Sequence, residues 1–172
     1  MRYGRLIAAL VSALVVLATA AVASAGGLVK VSMGRWDGTA WRLAANDQVS
    51  GVNVSYCWKV TFVPDSSGGC ASYIGQDNSP YLRSYGMDIG ESLHGCPGVS
   101  YADGPVTASA SSVEITLSTG GVVHTSTIAA PAGLARSIRF FVARIPCGSQ
   151  PETATGRNAG GSVVALFPNA GV

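Results

Sequence analysis

The clearest alternation of apolar and polar residues in this chain runs from Val52 to Phe62. Every second side chain there is large and apolar, and the residues between them are polar or small. A period of two is typical of a β-strand with one buried face. The parity places Cys57 on the polar face, so a disulfide through this residue is expected to hold a surface loop and not to cross the core.

Two further segments have strong strand patterns. Ser112 to Ile128 contains two β-branched runs separated by Thr119-Gly120-Gly121, which predicts a hairpin with a glycine turn. A two-residue turn would place His124 on the partly buried face. Ser137 to Ile145 is nearly continuous in apolar residues, and its short length and aromatic content favour a central strand over a helix.

The rest of the pattern also indicates strands and no long helix. Glycine, proline and hydroxyl residues recur at roughly the 8 to 12 residue spacing of antiparallel all-β folds. We therefore predict an all-β, antiparallel β-sandwich with about seven to nine strands. Gln150 to Gly161 is polar and is expected to be a mobile loop. The other predicted strands are Leu28 to Met33, Thr39 to Leu43, Ala71 to Ile74, Pro105 to Ala108 and Ser162 to Phe167.

The first 25 residues have the layout of an export signal. Arg2 and Arg5 precede an uncharged run from Leu6 to Ala25, which ends in the small-residue pattern that signal peptidases accept. We expect cleavage between Ala25 and Gly26, which leaves residues 26–172 as a single secreted domain. Cleavage a few residues earlier and retention as a membrane anchor are the alternatives.

Four cysteines, Cys57, Cys70, Cys96 and Cys147, lie in the expected mature part. An even number in an oxidising compartment indicates two disulfides. We favour Cys57–Cys70 and Cys96–Cys147, because the first closes a short polar loop and the second joins two proline-flanked segments. The other two connectivities stay open. No C-x-x-C or paired-histidine spacing indicates a metal site, and no cofactor is expected.

The formal charge of the chain limits the classes of partner that we expect. The chain has eleven basic and nine acidic residues, and cleavage of the signal removes two arginines, so the mature part is formally neutral. Its basic residues are scattered along the sequence, whereas proteins that bind phosphate backbones cluster them. Nucleic acid and membrane surfaces are therefore not expected as partners.

Motifs for catalysis are missing from the sequence. The nucleophile elbow, the zinc-protease helix and the phosphate-binding loop do not occur. A hydrolytic set of His94, Asp88 and Ser92, or a pair of carboxylates among Asp88, Glu91 and Asp103, are alternatives, but acids in the loops of a β-domain are usually solvated. We expect no catalytic residues.

Two tryptophans are candidates for ligand contact. Trp36 and Trp41 flank Asp37-Gly38, which is a strong hairpin-turn signal. One of them could be an exposed platform that stacks on a sugar through its apolar ring. Trp58 belongs to the apolar positions of its strand and is expected in the core.

Residues Gly104 to Leu166 resemble the immunoglobulin-like β-domains of secreted actinobacterial proteins of unknown function. The resemblance implies a fold and a compartment, and it implies no activity. It rests on Val113-Glu114-Ile115-Thr116-Leu117, Gly120-Gly121-Val122-Val123, Phe140-Phe141-Val142-Ala143 and Gly161-Ser162-Val163-Val164-Ala165.

A second resemblance begins at Cys96. The segment Cys96-Pro97-Gly98-Val99 and its continuation to Val106 is similar to the reactive loop of secreted subtilisin inhibitors, which reads Cys-Pro-x-Val-Tyr-Asp-Pro-Val. This implies an inhibitor with Gly98 at the specificity position, followed by Val99.

Our leading hypothesis is a non-enzymatic extracellular domain that binds a protein or glycan, or has a structural role, at the cell envelope. A serine-protease inhibitor and a carbohydrate-binding module are the alternatives.

Overall fold

A computed structural model describes residues 27–50, 53–63, 65–74, 87–93, 98–134 and 138–167. In these ranges the chain forms twelve strands and no helix, so the described part holds no helical segment that could span a bilayer. The strands are β1 (Val29–Trp36), β2 (Thr39–Ser50), β3 (Asn53–Phe62), β4 (Asp65–Ile74), β5 (Gly90–Ser92), β6 (Ser100–Thr107), β7 (Ser112–Leu117), β8 (Val122–Ser126), β9 (Ile128–Ala129), β10 (Ile138–Ile145), β11 (Pro151–Arg157) and β12 (Val163–Phe167).

The strands form three antiparallel four-stranded sheets. Sheet A has the order β1-β2-β3-β4, sheet B the order β5-β6-β10-β9, and sheet C the order β12-β11-β7-β8. The predicted all-β antiparallel class is confirmed. The strand number exceeds the predicted seven to nine because β5 and β9 are only three and two residues long, and because β11 lies where a loop was expected.

Sheet B lies between the other two sheets. Phe140 on β10 belongs to an apolar cluster shared with Tyr56 of sheet A. The adjacent Phe141 belongs to a second cluster, shared with Ile115 of sheet C. Successive residues of a strand point to opposite faces, so both faces of sheet B are covered. This explains why β10 has an almost continuous apolar sequence, and it confirms the predicted central strand.

Strand β3 confirms the alternation on which its prediction rests. Tyr56, Trp58 and Val60 are buried, and Cys57 lies on the opposite face. Cys57 forms a disulfide with Cys70, the residue paired with it on β4. The predicted pairing Cys57–Cys70 is therefore confirmed, and the bridge does not cross the core, as expected; it joins two paired strands, where a loop was predicted.

Several predictions concern residues outside the described ranges. The export signal at residues 1–25, His94 and Cys96 are all in this group. Cys147 is disulfide-bonded, but the pairing Cys96–Cys147 stays a prediction.

Strands β7 and β8 form the predicted hairpin. Gly120 in its turn has φ of 80°, in the region that favours glycine. The turn is longer than two residues, however, and its length reverses the parity of β8. His124 pairs with Glu114, and its side chain is 70 % exposed. The prediction that His124 is partly buried is wrong.

The segment predicted to be a mobile polar loop, Gln150 to Gly161, instead contains β11. This strand pairs with β7 on one side and β12 on the other. Its inward residues are small: Ala154 is fully buried, and a Cβ at Gly156 would lie 2.8 Å from the Cβ of Ala165. The low apolar content that suggested a loop therefore reflects close approach of the strand to its neighbours.

Candidate functional site

The predicted turn at Asp37-Gly38 is confirmed, and it connects β1 to β2. Both turn residues have positive φ, 48° and 82°, as in the tight turns that join twisted antiparallel strands. The ring centroid of Trp36 lies 5.3 Å from that of Trp41 and 5.8 Å from that of Phe62. Both tryptophans are partly buried against the cluster between sheets A and B. They belong to an aromatic stack that faces inward.

Trp41 shows how closely this stack is packed. A Cβ on Gly34, the residue paired with Trp41, would lie 2.6 Å from the indole ring. The indole Nε1 of Trp41 is buried and has no hydrogen-bond partner among the described residues. A platform for sugar stacking needs an open ring face. Neither ring is fully open: both tryptophans are partly buried, and Trp41 also borders a surface groove, so the sugar platform stays a prediction.

Gly98 and Val99, the other proposed contact residues, precede a buried strand. Gly98 lines a cleft of about 310 Å³ together with Arg144 and Cys147. Val99 packs against the cluster between sheets A and B. The segment that follows is β6, which pairs with β10 inside sheet B and is almost entirely buried. The described part of this segment therefore does not form the protruding loop with which an inhibitor enters a protease cleft.

Asp103 was expected to be a solvated loop acid, and this is wrong. It lies on β6 with no exposed surface. Trp58 donates a hydrogen bond from Nε1 to Asp103 Oδ1 at 2.6 Å, and the hydroxyl of Ser67 donates to Oδ2. Burial raises the pKa of Asp103 to about 6, and the two hydrogen bonds partly oppose this rise because they stabilise the carboxylate.

Glycines make room for this buried carboxylate. A Cβ at Gly69, which pairs with Trp58, would lie 3.0 Å from the indole ring. A Cβ at Gly90, which pairs with Asp103, would lie 3.2 Å from Asp103 Oδ1. Because neither glycine has a Cβ, β4 can approach the indole of Trp58 and β5 can approach the carboxylate of Asp103. Asp103 is thus a polar tie between sheets A and B, held by an indole and a hydroxyl.

The other two candidate acids, Asp88 and Glu91, are less buried than Asp103. Asp88 accepts a hydrogen bond from the backbone N–H of Ile89 at 2.9 Å, and Glu91 is exposed on β5. Within the described ranges, no three residues among histidine, cysteine, aspartate and glutamate are grouped as ligands for a metal ion.

Four cations lie close together on the outer face of sheet A, which points away from sheet B. In the sequence these residues are scattered from Lys30 to Lys59. On neighbouring strands, Lys30 pairs with Ala44 and Ala44 pairs with Lys59. In the next row Met33 pairs with Arg42. We call this surface the basic face, and its exposed members are Lys30, Met33, Arg35, Arg42, Lys59 and Val63.

Exposed apolar side chains accompany these cations. Met33 is 65 % exposed and Val63 is 71 % exposed. Both line a shallow groove of about 600 Å³ together with Arg35, Arg42 and the partly buried Trp41. Arg42 and Lys59 also line a neighbouring depression of about 260 Å³. The face therefore combines positive charge with apolar contact area.

Acids do not neutralise this face in the part of the chain that the structure describes. Arg35 donates to the backbone carbonyl of Gly38 at 2.8 Å, and none of the four cations has an ion pair there. Elsewhere in the described ranges, Arg144 pairs with Asp37 and Arg157 with Glu114, while Arg139 donates hydrogen bonds to Thr127.

Sequence reasoning missed the basic face because the four cations lie on three different strands, and only the sheet register brings them together. The alternation within single strands does carry part of the signal. Lys59 is next to buried Trp58, and Arg42 is next to buried Leu43, so both cations are expected to point away from the core.

Comparison with known proteins assigns no family to this chain. No protein-family model matches it, no curated protein matches it, and no solved structure matches it.

Proposed function

We propose that this chain is an exported, non-enzymatic binding domain, and that the basic face of sheet A is its binding surface. One observation carries the proposal: the fold places Lys30, Arg35, Arg42 and Lys59 side by side with exposed Met33 and Val63, with no acid pairing to them among the described residues.

Such an arrangement gives the isolated protein no stability. Like charges on neighbouring strands repel one another, and exposed apolar side chains gain nothing from folding. Surfaces that join apolar contact area to polar and charged groups are characteristic of interaction sites. A ligand that supplies negative charge and covers Met33 and Val63 would relieve both costs.

The position of the face also suits recognition. Its cations project from regular strands, and the inner side of sheet A is anchored by the packing of Tyr56, Trp58 and Val60 against sheet B. The Cys57–Cys70 disulfide ties β3 to β4 beside it. A site carried by rigid elements keeps its side chains in place before the ligand arrives.

Export and the absence of catalysis are further parts of the proposal. The signal-like residues 1–25 and the disulfide fit an oxidising compartment. The buried carboxylate of Asp103 contacts Trp58 and Ser67, which fix it in place and offer no histidine partner for proton transfer.

The test compares matched variants in a co-sedimentation experiment. Purified mature protein is mixed with isolated cell envelopes of the producing organism, and the bound fraction is measured. Met33→Glu with Val63→Glu changes two exposed apolar residues of the basic face. Val122→Glu with Val163→Glu changes two exposed apolar residues of sheet C, with the same change in charge.

We expect the Met33 and Val63 double variant to lose most of its binding and the sheet C double variant to bind as the parent protein does. Equal binding by all three proteins, or a loss confined to the sheet C variant, would refute the assignment of the surface. Circular dichroism confirms that each variant is folded, which is expected because all four positions are exposed.

A further inference from the structure

We propose that the basic face recognises a linear acidic polymer of the cell surface, in which carboxylate or phosphodiester groups repeat along a chain of sugars or polyols. This inference rests on the proposed function and names the class of its ligand.

The register of sheet A fixes the arrangement of the charges. Arg42 lies on β2, while Arg35 and Lys59 lie on β1 and β3, each displaced from the row of Arg42 by two residues in opposite directions. With strands about 4.8 Å apart and a rise of about 3.4 Å per residue, each diagonal step is about 8 Å. Arg35, Arg42 and Lys59 therefore form a line of charge that crosses three strands.

A single small anion cannot span such a line, because it would contact one or two of these cations and leave the others unpaired. A chain with repeated anionic groups can contact all three in succession. Lys30 lies off this line, on β1 in the row of Lys59, and adds positive charge beside it. Arginine binds carboxylate and phosphate through two parallel hydrogen bonds. Met33 and Val63 lie beside this line and can cover the C–H surface of a sugar or polyol.

The same face is poorly suited to nucleic acid. Proteins that bind single strands stack the bases on aromatic side chains. Trp36 and Trp41 pack against the cluster between sheets A and B, and the six exposed members of the basic face include no aromatic ring. Trp41 borders the groove but is partly buried. Ligand binding through charge and aliphatic contact favours an acidic glycan or polyol phosphate over single-stranded DNA.

Binding is measured by titration calorimetry with defined polymers. Polygalacturonate supplies one carboxylate per sugar, poly(glycerol phosphate) supplies phosphodiesters, and dextran is the neutral control. We expect the mature protein to bind at least one acidic polymer and not dextran. Affinity should fall by roughly tenfold or more between 50 and 200 mM salt, since several ion contacts displace counterions.

Arg42→Gln with Lys59→Gln should weaken binding by roughly 25-fold, at about fivefold for each cation removed. The matched control is Val122→Glu with Val163→Glu, which changes the net charge by the same amount on sheet C, and it should bind within about twofold of the parent.

Three results would overturn the inference: equal binding to dextran, tighter binding to single-stranded DNA or to anionic lipid vesicles, and an affinity insensitive to salt. If neither acidic polymer binds while the Met33 and Val63 double variant still loses envelope binding, the ligand class is wrong and the binding surface stands. If that variant binds envelopes normally, the proposed function itself fails.

Discussion

Sheets A and C both cover sheet B, but their chemistry differs on both faces. Sheet C meets sheet B through Val113, Ile115 and Leu117, whereas sheet A meets it through an apolar cluster that also surrounds the buried carboxylate of Asp103. The outer face of sheet C balances its charge, with Glu114 3.3 Å from Arg157 and 3.9 Å from His124.

Sheet A carries unpaired cations on its outer face, and its inner face donates hydrogen bonds to the buried acid Asp103 of sheet B. Natural folds depart from simple rules of stability most often at functional sites. Sheet C therefore serves mainly to cover the core. The unpaired cations and the contacts with a buried acid cost stability, and both involve sheet A, so they need another explanation.

The largest expected effects come from two neighbouring residues of β10. Phe140 packs in the interface with sheet A, and Phe141 packs in the interface with sheet C. Phe140→Ala and Phe141→Ala should each lower the free energy of unfolding by about 3–5 kcal/mol, since each removes a fully buried ring. All three tryptophans lie on sheet A. Phe140→Ala should therefore also change the native tryptophan emission, and Phe141→Ala should not. Urea titrations followed by fluorescence and circular dichroism measure both quantities, and a changed emission in Phe141→Ala alone would contradict the layer assignment.

The buried acid makes the contact between sheets A and B sensitive to pH. The pKa of Asp103 is raised from 3.8 to about 6 in the folded state, so the folded protein holds this proton more tightly than the unfolded chain. Its contribution to stability is full below pH 3.8 and is lost as the pH rises through 6, which amounts to about 3 kcal/mol. Asp103→Asn removes this loss, because the amide does not ionise.

The measurement is the difference in unfolding free energy between Asp103→Asn and the parent protein. This difference should rise by about 2 kcal/mol from pH 4 to pH 7. Ser67→Ala removes a hydrogen bond that lowers the pKa of Asp103, so it should move the midpoint of the parent's pH dependence upward. A difference that stays constant with pH would show that Asp103 is not the source of the effect.

The Cys57–Cys70 disulfide is a further feature that distinguishes sheet A from sheet C. Replacing both Cys57 and Cys70 with alanine should lower the free energy of unfolding by roughly 3 kcal/mol, because the bridge restricts a short loop in the unfolded chain. Thermal unfolding monitored by circular dichroism measures the loss. An unchanged melting temperature would mean that the paired strands β3 and β4 need no covalent tie.

The smallest expected effects lie on the outer faces and have opposite signs. Arg42→Gln with Lys59→Gln should raise stability by up to about 1 kcal/mol because it relieves repulsion. Glu114→Gln should lower it by a similar amount because it breaks the contacts with Arg157 and His124. Urea denaturation at low ionic strength tests both. If the two variants shift stability in the same direction, the faces do not differ as described.

Much of the fold could be predicted from local patterns. The alternation in β3, the continuous apolar sequence of β10 and the glycine turn between β7 and β8 all record burial directly. Strand β11 could not be found in this way, because Ala154 and Gly156 are small where neighbouring strands approach closely. Strand β4 was recognised only from Ala71 because Gly68 and Gly69 resemble a loop until the ring of Trp58 is placed over Gly69.

The candidate site was much less predictable than the fold. Trp36 and Trp41 have the right chemistry for sugar binding, but their orientation depends on packing against Phe62 and Tyr101, which are distant in sequence. The buried state of Asp103 depends on donors from two other strands. The basic face depends on the register of three strands, and no local window of sequence contains it.

The most direct test of the binding surface is a nuclear magnetic resonance titration of the labelled mature domain with a soluble fraction of the cell envelope. Binding at the basic face predicts that the amide shifts change along β1, β2 and β3, from residue 30 to residue 63, while β7 and β11 stay unchanged. Shifts centred on sheet C, or on the cleft beside Gly98 and Arg144, would contradict it.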